Sequence, residues 1–392
     1  MAKQQSQGTK PAGKRLTPKQ RAARKRRNII IFIVELFILA IVVVGAWAII
    51  RLTRVEHHDL NIGTVDDIES GGDVDVVVNK DVYENYTEPE NPMARYMQVA
   101  LFGLDSRKRK LGAEASRSDT IIIACIDTQE KTIKLVSVYR DTYLNLTNGS
   151  YNKCNGAYAA GGEARAMTML NTNLDLYITD YVTVGFWGLI DAIDKLGGVM
   201  VDVASNEISY LNDYQISMVG TTTDGLHYDA EANVDYTPVT QSGYQRLNGL
   251  QAVAYCRIRY VGNDYGRTER QRKVIAAMME AAKNMSIEEL TAILNSDVFD
   301  EFSTSIKLDT ILSMLGDLGE YEIVESCGFP AMDMLQSGTI GKKGSCVIPM
   351  DLTANVTKLH EILFGTVDYE PSETVREYSR QIQQDTAQYL RQ

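Results

Sequence analysis

Arginines are crowded into one short stretch of the chain, YCRIRYVGNDYGRTERQRK at residues 255–273. Arg257 and Arg259 stand two residues apart, so in an extended segment they would project from one face. A following helix would present a second face through the i, i+3, i+4 spacing of Arg267, Arg270 and Gln271. Because guanidinium groups match phosphate oxygens two at a time, the two faces predict a pyrophosphate-binding site. The alternative is a solvated helix face whose charges pair with Glu269.

Two aspartates are predicted to lie beside these cations. Asp105 ends one β-rich run of the sequence, and Asp119 begins the next. Carboxylate oxygens, together with water and phosphate oxygens, are the ligands of Mg²⁺, with Mn²⁺ as the alternative ion. A metal that bridges a pyrophosphate held by arginines indicates phosphoryl transfer with little covalent chemistry by the protein. Taken singly, each aspartate is also typical of a turn or a helix cap.

Three predicted strands would bring these groups to one edge of a sheet. The strands are QVALFGLD, SDTIIIACID and KTIKLVSVYRD, which are rich in β-branched residues. The second and third are joined by a linker too short for a parallel crossover, so they should be antiparallel. If the first pair is antiparallel as well, Asp105, Asp119, Arg140 and Asp141 meet at one edge. The loop at 106–118 adds cations to this edge: Arg107, Lys108, Arg109, Lys110 and Arg117.

Helical and β-rich segments interleave along the rest of the chain. The expected fold class is α/β, or mixed α+β, with one domain at residues 94–367 that has a central mixed β-sheet between helices. LNGLQAVAYCRIRY is predicted to be a helix that runs into a strand, and residues 205–245 an irregular excursion. Cys327 and Cys346 are a candidate disulfide pair, and the alternative is that both are reduced.

The N-terminal part of the chain has the pattern of a membrane anchor. Residues 1–28 hold ten Lys or Arg and no acid, and residues 29–50 are apolar apart from Glu35. The apolar run would extend over about 33 Å as a helix, enough to span a bilayer core. A cleaved signal peptide is the alternative. The charge bias places residues 1–28 in the cytoplasm and the remainder outside.

The net charge of residues 51–392, the part predicted to be extracellular, limits the partners that this part can bind. The formal net charge of -11 comprises +10 in residues 1–28, -1 at Glu35 and -20 in residues 51–392. An acidic body of this kind repels nucleic acid, which is not expected as a partner. Residues 51–93 are predicted to be an acidic, solvated extracellular stalk, in which Val74–Val78 could form a short strand, and residues 368–392 a polar tail that could be helical.

Seven blocks occur in the order found in one protein family. The sequence resembles the LytR-CpsA-Psr family of bacterial membrane-anchored proteins through LFGLDSR, SDTIIIA, LVSVYRDTY, NKCNGAYAAGG, DKLGGVMVDV, LNGLQAVAYCRIRY and DYGRTERQRKV. The resemblance implies that Asp105 and Asp119 are associated with magnesium. It implies pyrophosphate contacts for Arg140, Arg257, Arg259, Arg267, Arg270 and Gln271, and further site positions at Asp141, Lys153, Asn155 and Asp264. Arg107 and Lys153 are also predicted to contact the pyrophosphate. The predicted catalytic groups are Asp105, Asp119, Arg140, Asp141 and Asp264.

The resemblance also implies an activity. Members of the LytR-CpsA-Psr family move anionic or capsular glycopolymers from an undecaprenyl-pyrophosphate carrier to peptidoglycan, on the outer face of a Gram-positive-type membrane. A slot for the polyprenyl chain is expected between sheet and helices. The base that deprotonates the attacking hydroxyl is left open between Asp264, Asp141 and a metal-bound water. A lipid-pyrophosphate phosphatase and a non-enzymatic envelope regulator of the attenuator type are the competing functions. Tyr139 and Cys154 depart from the family pattern of a proline and a branched aliphatic residue.

Overall fold

The computed structural model of the chain describes residues 56–57, 60–86, 88, 90–106, 116–219 and 236–389. The predicted cytoplasmic tail, the predicted span at 29–50 and Arg107 lie outside these ranges. Within the ranges, no helix combines the length and the apolar character needed to cross a membrane.

A seven-stranded mixed sheet forms the centre of the domain. Its spatial order is β1-β12-β9-β4-β5-β6-β13, with β1 Glu56–His57, β4 Tyr96–Leu104, β5 Ser118–Asp127, β6 Thr132–Val138, β9 Asp180–Val184, β12 Phe302–Thr304 and β13 Glu322–Phe329. The three predicted strands correspond to β4, β5 and β6, and both predicted antiparallel pairings are confirmed. The pairs β4–β9, β6–β13 and β1–β12 are parallel, whereas β9–β12 is antiparallel.

Helices cover both faces of this sheet, so its central strands carry apolar residues without alternation. Ile121 and Ile123 face one core, and Ile122 between them faces another. The first core also contains residues of α3 Gly156–Leu174, α10 Leu352–Phe364 and α11 Glu373–Thr386. The second contains Ile275 and Met279 of α7 Asn263–Lys283. The predicted central mixed sheet between helices is therefore confirmed.

A third apolar core joins the elements that follow the central strands. It is built from α4 Phe186–Lys195, α5 Ile208–Val219, α6 Gly249–Arg257 and a two-stranded ribbon of β10 Val199–Val203 and β11 Gly243–Leu247. Gly249 begins α6 where it meets α4, and a Cβ there would lie 2.2 Å from the Ile190 carbonyl oxygen. Only glycine allows this close approach. The helix α5 and strand β11 also show that the predicted irregular excursion contains regular structure.

The remaining elements are short or peripheral. They are β2 Ile62–Gly63, α1 Val65–Glu69, β3 Val76–Val77, α2 Lys80–Tyr86, β7 Tyr143–Asn145, β8 Tyr151–Lys153, α8 Ile287–Leu294, α9 Leu308–Gly316, β14 Leu335–Thr339 and β15 Ser345–Pro349. Cys327 lies on β13 and Cys346 on β15, and both are free, so the predicted disulfide is not formed.

The prediction of a solvated stalk is wrong for residues 60–86. Val76, Val78 and Val82 are at most 4% exposed and belong to the same apolar core as the sheet. The Val77 amide donates to Thr168 Oγ1 on α3 at 3.0 Å. The possible strand at Val74–Val78 is observed as β3 Val76–Val77, and it packs on the domain.

The predicted polar C-terminal segment that could be helical forms the helix α11, but this helix packs on the domain and is not a free tail. Val375 and Ile382 of α11 are fully buried, although most residues of this helix are polar. The Ser372 hydroxyl donates to buried Asp175 at 2.7 Å, and Asn79 donates to the same carboxylate at 2.6 Å. The buried carboxylate of Asp175, which directly follows α3, therefore links the segments that contain Asn79 and Ser372 to the end of this helix.

Candidate active site

The ends of β4, β5 and β6 bring the predicted acids and arginines together at one sheet edge. Asp119 lies at the start of β5, and its two carboxylate oxygens accept hydrogen bonds from Arg140 Nη1 at 2.7 Å and from Arg259 Nη2 at 3.1 Å. Arg267 Nη2 donates to the Asp119 carbonyl oxygen at 3.0 Å. The predicted convergence is therefore present, with Asp119 at its centre.

Arg257 reaches this site by a route that the sequence did not predict. It is the last residue of α6, and Ile258 ends the helix by adopting an extended backbone. Arg257 and Arg259 therefore do not share the face of one extended segment. The Arg257 guanidinium lies over the ring of Phe186, 4.6 Å from its centroid, and 5.5 Å from that of Tyr214. Such cation–π packing holds a planar cation at the wall of an apolar space.

The first turns of α7 supply the next two charged groups. Gly262 precedes the helix with a φ of 74°, a left-handed conformation that favours glycine. Asp264 lies in the first turn of α7, and its Oδ1 lies 3.0 Å from Arg267 Nη2. Arg267 is 2% exposed, and burial lowers its pKa to about 10, so it stays charged at neutral pH.

Arg270 stands apart from the site, although the sequence predicts that it contacts pyrophosphate. Its Nε donates to Glu207 at 2.7 Å, and its two Nη groups donate to the carbonyl oxygens of Ile258 and Val261 at 3.1 and 2.7 Å. These bonds hold the turn that carries Arg259. Arg270 is thus a positioning residue, and its partner Glu207 was missed because nothing local in the sequence links the two.

An apolar cavity of about 370 Å³ lies between the sheet and the helices. Its walls are mainly aliphatic and aromatic, including Leu101, Val182, Phe186, Leu189, Ile275 and Met278. One end is polar, where the lining includes Asp105, Asp119, Arg257, Arg259, Arg267 and Gln271. The expected apolar slot is therefore present, and it ends at the arginine cluster.

A polar cleft adjoins this cavity on the other side of Asp119 and Arg259, which line both spaces. The further lining of the cleft includes Arg140, Asp141, Lys153 and Asn155. Lys153 Nζ lies 3.1 Å from Asp141 Oδ1, and Arg140 Nε lies 3.7 Å from Asp141 Oδ2. Asp264 lines neither space. Of the predicted catalytic acids, Asp105, Asp119 and Asp141 are thus the ones that a substrate in the cleft can reach.

Several buried polar atoms of this site have no hydrogen-bond partner. They are Arg140 Nε, Arg267 Nε, Asp264 Oδ2 and Gln271 Oε1. Buried polar groups are nearly always paired in folded proteins, so such a concentration at one place points to a polar ligand. Burial alone would lower the pKa of Arg140, but the carboxylates of Asp119, Asp264 and Asp141 raise this pKa above its ordinary value. Arg140 therefore stays charged.

The two aspartates fit a hard divalent cation. Asp105 is exposed and forms no hydrogen bond or ion pair with a described residue, and it lines the same cleft as Asp119. No group of three or more His, Cys, Asp or Glu suited to a metal occurs among the described residues. Mg²⁺ commonly uses only one or two carboxylates and completes its shell with water and substrate phosphate. Asp105 and Asp119 meet that requirement.

Tyr139 and Cys154, the two departures from the family pattern, lie behind the site. Tyr139 packs edge-on against Tyr265 with ring centroids 4.7 Å apart. Cys154 is fully buried, its thiol donates to the Tyr139 carbonyl oxygen at 3.2 Å, and burial raises its pKa. A buried thiol held in the neutral form is not a nucleophile. Both residues support the strand end that carries Arg140.

The family can now be decided, because a model described as the LytR_cpsA_psr family matches residues 71–341. The chain belongs to the LytR_cpsA_psr family. The match confirms the resemblance drawn from the seven sequence blocks. It includes the arginine stretch and all the predicted site residues, from Asp105 to Gln271.

Curated members of the LytR_cpsA_psr family are similar to this chain over much of its length. Biofilm regulatory protein A of Streptococcus mutans is 26% identical over 90% of this chain and 86% of its own length. A polyisoprenyl-teichoic acid–peptidoglycan teichoic acid transferase, TagU of Enterococcus faecalis, is 32% identical over 54% of this chain. TagV of Bacillus subtilis, which has the same description, is 28% identical over 70% of this chain. The chain spans less than two thirds of these two transferases, 62% and 65% of their lengths.

Solved structures of LytR_cpsA_psr proteins share the fold. The crystal structure of B. subtilis TagV superposes with a TM-score of 0.54 at 24% identity, over 71% of this chain and 99% of that one. A structure described as TagT bound to LIIa-WTA superposes with a TM-score of 0.51 at 20% identity, over 77% of this chain and 94% of that one. The predicted LytR-CpsA-Psr-like fold is thereby confirmed.

Proposed function

We propose that this LytR_cpsA_psr protein transfers a glycopolymer from a polyisoprenyl-pyrophosphate carrier to peptidoglycan. One observation carries the proposal: an apolar cavity ends at a cluster of arginines and aspartates, and a polar cleft continues from the same cluster. A lipid tail requires the apolar cavity, a diphosphate requires the charged cluster, and a glycan requires the polar cleft. The three environments occur in the same order as the three parts of the substrate. The similar proteins TagU and TagV are described as such transferases, which supports the proposal.

The arginines would hold the diphosphate at the mouth of the cavity. Arg257, Arg259 and Arg267 line the polar end of the cavity, and Arg140 lines the cleft beside it. Guanidinium groups bind phosphate oxygens in pairs and stabilise the charge that develops on phosphorus during transfer. Asp119 holds Arg140 and Arg259 in place before substrate arrives. Mg²⁺, which we propose as the cofactor at Asp105 and Asp119, would offset negative charge on the diphosphate when bound.

Asp141 is the base that the geometry favours for the acceptor hydroxyl. It lines the polar cleft, whereas Asp264 does not. The hydroxyl oxygen forms a bond to the phosphorus that bears the glycan, the bond from that phosphorus to the lipid phosphate breaks, and the hydroxyl proton passes to Asp141. The lipid monophosphate leaves toward the apolar cavity. Arg140 and Lys153, which lie 3.7 and 3.1 Å from the Asp141 carboxylate, fix its position in the cleft.

The finer identity of the substrates remains part of the proposal. We propose an undecaprenyl carrier and an anionic or capsular glycopolymer, handled on the outer face of a Gram-positive-type membrane. The segment at 29–50 would anchor the domain, with residues 1–28 in the cytoplasm.

The test is reconstitution of the full chain in phospholipid vesicles with a labelled polyprenyl-pyrophosphate glycan, peptidoglycan and Mg²⁺. The proposal predicts a covalent bond between glycan and peptidoglycan that wild type forms and Asp119→Asn does not. Release of free phosphorylated glycan without any wall-linked product would favour the phosphatase. If neither product forms, and if Asp119→Asn leaves wall decoration in cells unchanged, the protein is a regulator instead.

A further inference from the structure

A second basic surface lies beyond the polar cleft and shares part of its lining with it. It is a cleft of about 180 Å³, called the basic cleft below, and its lining includes Arg117, Lys153, Asn155, Lys342 and Lys343. No carboxylate occurs in this lining, although the chain outside the N-terminal tail is strongly acidic. Lys153 is paired with Asp141, so Arg117, Lys342 and Lys343 supply the positive potential that attracts an anion.

A tight turn presents the two lysines at 342 and 343 to this cleft. Gly341 and Gly344 bracket them with φ values of 46° and 76°, so the left-handed backbone at both ends depends on glycine. Lys343 Nζ donates to the Tyr143 hydroxyl at 2.7 Å, which fixes its position. Lys342 is exposed and forms no ion pair with a described residue. A Cβ placed on Gly344 would lie 4.0 Å from Lys153 Nζ, so the turn and Lys153 are close neighbours.

The basic cleft is continuous with the polar cleft. Arg117, Lys153 and Asn155 line both. Lys342 and Lys343, in contrast, lie just beyond the residues that the family model matches, which end at 341. The basic cleft therefore extends the polar cleft toward the turn at 341–344.

The direction of phosphoryl transfer indicates which substrate would occupy the basic cleft. In-line transfer requires the attacking oxygen and the departing lipid phosphate on opposite sides of phosphorus. Asp119 and Arg259 line both the apolar cavity and the polar cleft, so they mark the place of the phosphorus. With the lipid in the apolar cavity, the acceptor approaches through the polar cleft, and the basic cleft lies further along the same path.

The geometry points to an anion subsite for the acceptor: the basic cleft binds a carboxylate carried by the acceptor strand, close to the hydroxyl that attacks. This inference rests on the proposed function for the identity of the acceptor as peptidoglycan, whose stem peptides carry carboxylates. Lys342, Lys343 and Arg117 pair with the carboxylate, and Lys153 links this subsite to Asp141. The subsite sets affinity for the acceptor and leaves the chemical step unchanged.

The test uses the full chain in vesicles and a donor whose glycan is uncharged. Two acceptors are made from one glycan strand, the first with its peptides and the second with the peptides removed enzymatically. Replacing both lysines, Lys342→Gln with Lys343→Gln, should raise KM for the peptide-bearing acceptor about tenfold, as loss of charge-assisted hydrogen bonds would, and leave kcat unchanged. KM for the peptide-free acceptor should not change. Lys195→Gln with Lys307→Gln, an equal charge change at two exposed lysines elsewhere, is the matched control.

Two further arms keep the outcome decisive. Lys342→Gln alone disturbs no contact with a described residue and should show the same selectivity to a smaller degree, which separates the effect from misfolding at Lys343. Binding of the two acceptors to wild type and to the double variant, measured by calorimetry without donor, tests the subsite even if no transfer occurs. The inference is overturned if the double variant binds the peptide-bearing acceptor as wild type does, or if only the donor KM rises, which would assign the cleft to the glycopolymer. Selective acceptor binding without transfer would uphold the subsite and refute the proposed function.

Discussion

Arg140 donates a 2.7 Å hydrogen bond to Asp119 across the ends of two antiparallel strands, β6 and β5. The second oxygen of the same carboxylate accepts from Arg259, which arrives from the turn after α6. Asp119 therefore sets the spacing of two guanidinium groups in advance of substrate. A site organised in this way loses little energy in rearrangement when charge develops on the substrate.

Asp119→Asn should lower the transfer rate by about 100-fold or more, as removal of a preorganised charged group in an active site typically does. The amide cannot pair with both arginines, so Arg140 and Arg259 lose their common partner. The rate of wall-linked product formation in vesicles measures the effect. Asp73→Asn, at an exposed aspartate away from the site, is the control and should retain the wild-type rate. A rate for Asp119→Asn within threefold of wild type would remove Asp119 from the account.

Arg270→Gln should lower the free energy of unfolding by about 3 kcal/mol, because it leaves buried Glu207 without its partner. The turn that carries Arg259 also loses two hydrogen bonds to its carbonyl oxygens, so transfer should slow as well. Denaturant unfolding and the transfer rate are measured on the same preparation. Lys273→Gln breaks an exposed pair with Glu269 and should cost less than about 1 kcal/mol. Equal destabilisation by the two variants would show that Arg270 is not a structural clamp.

His360 should make the domain less stable in acid. The ring is 1% exposed, its Nε2 lies 3.0 Å from the Leu174 carbonyl oxygen, and burial lowers its pKa to about 4. The unfolded chain therefore takes up a proton below about pH 6.5 that the folded chain does not take up until about pH 4. Stability from this group is fully present above pH 6.5 and falls as the pH decreases, by about 3 kcal/mol at pH 4.

The comparison variant for this prediction is His360→Gln, whose amide can still donate to Leu174 but does not titrate. Urea unfolding of both proteins at intervals from pH 7.5 to pH 4 gives the difference in slope. Parallel curves for the two proteins would show that His360 does not contribute to acid sensitivity.

Val82→Ala should destabilise the domain by about 2 kcal/mol through loss of buried apolar volume. The residue is 4% exposed within the main core, although the sequence around it is acidic. Val65→Ala, in the neighbouring α1 where the side chain is 55% exposed, is the control and should have little effect. If both substitutions were neutral, residues 60–86 would behave as the solvated spacer that the sequence predicted.

The sequence predicted the sheet edge because its signals are local. The β-branched content of β4, β5 and β6 and the short link between the last two determine the pairing, and the pairing places Asp119 beside Arg140. The apolar slot was expected from the family resemblance and not from a local signal, because its lining comes from distant parts of the chain, from Leu101 to Met278.

The sequence predictions that were wrong share one cause, which is that contacts between residues distant in the chain decided the structure. The spacing of Arg257 and Arg259 suggested one extended face, but α6 continues through Arg257 because its apolar side packs into the third core. Arg270 carries the helical spacing of a ligand-binding residue, yet Glu207, 63 residues earlier, takes its Nε. The acidic composition predicted that residues 60–86 are exposed to solvent. Burial of three valines, Val76, Val78 and Val82, instead packs the segment on the domain. None of these outcomes is encoded in a local pattern.

The central claim is that one pocket holds a diphosphate and the lipid attached to it. The most direct measurement is the affinity of the full chain for a short prenyl diphosphate and for the matching prenyl monophosphate, with Mg²⁺ present. We predict that the diphosphate binds at least about tenfold more tightly, from its additional charged hydrogen bonds, and that Arg259→Gln removes most of this preference. Equal affinity for the two ligands, or a preference that survives loss of Arg259, would contradict the account.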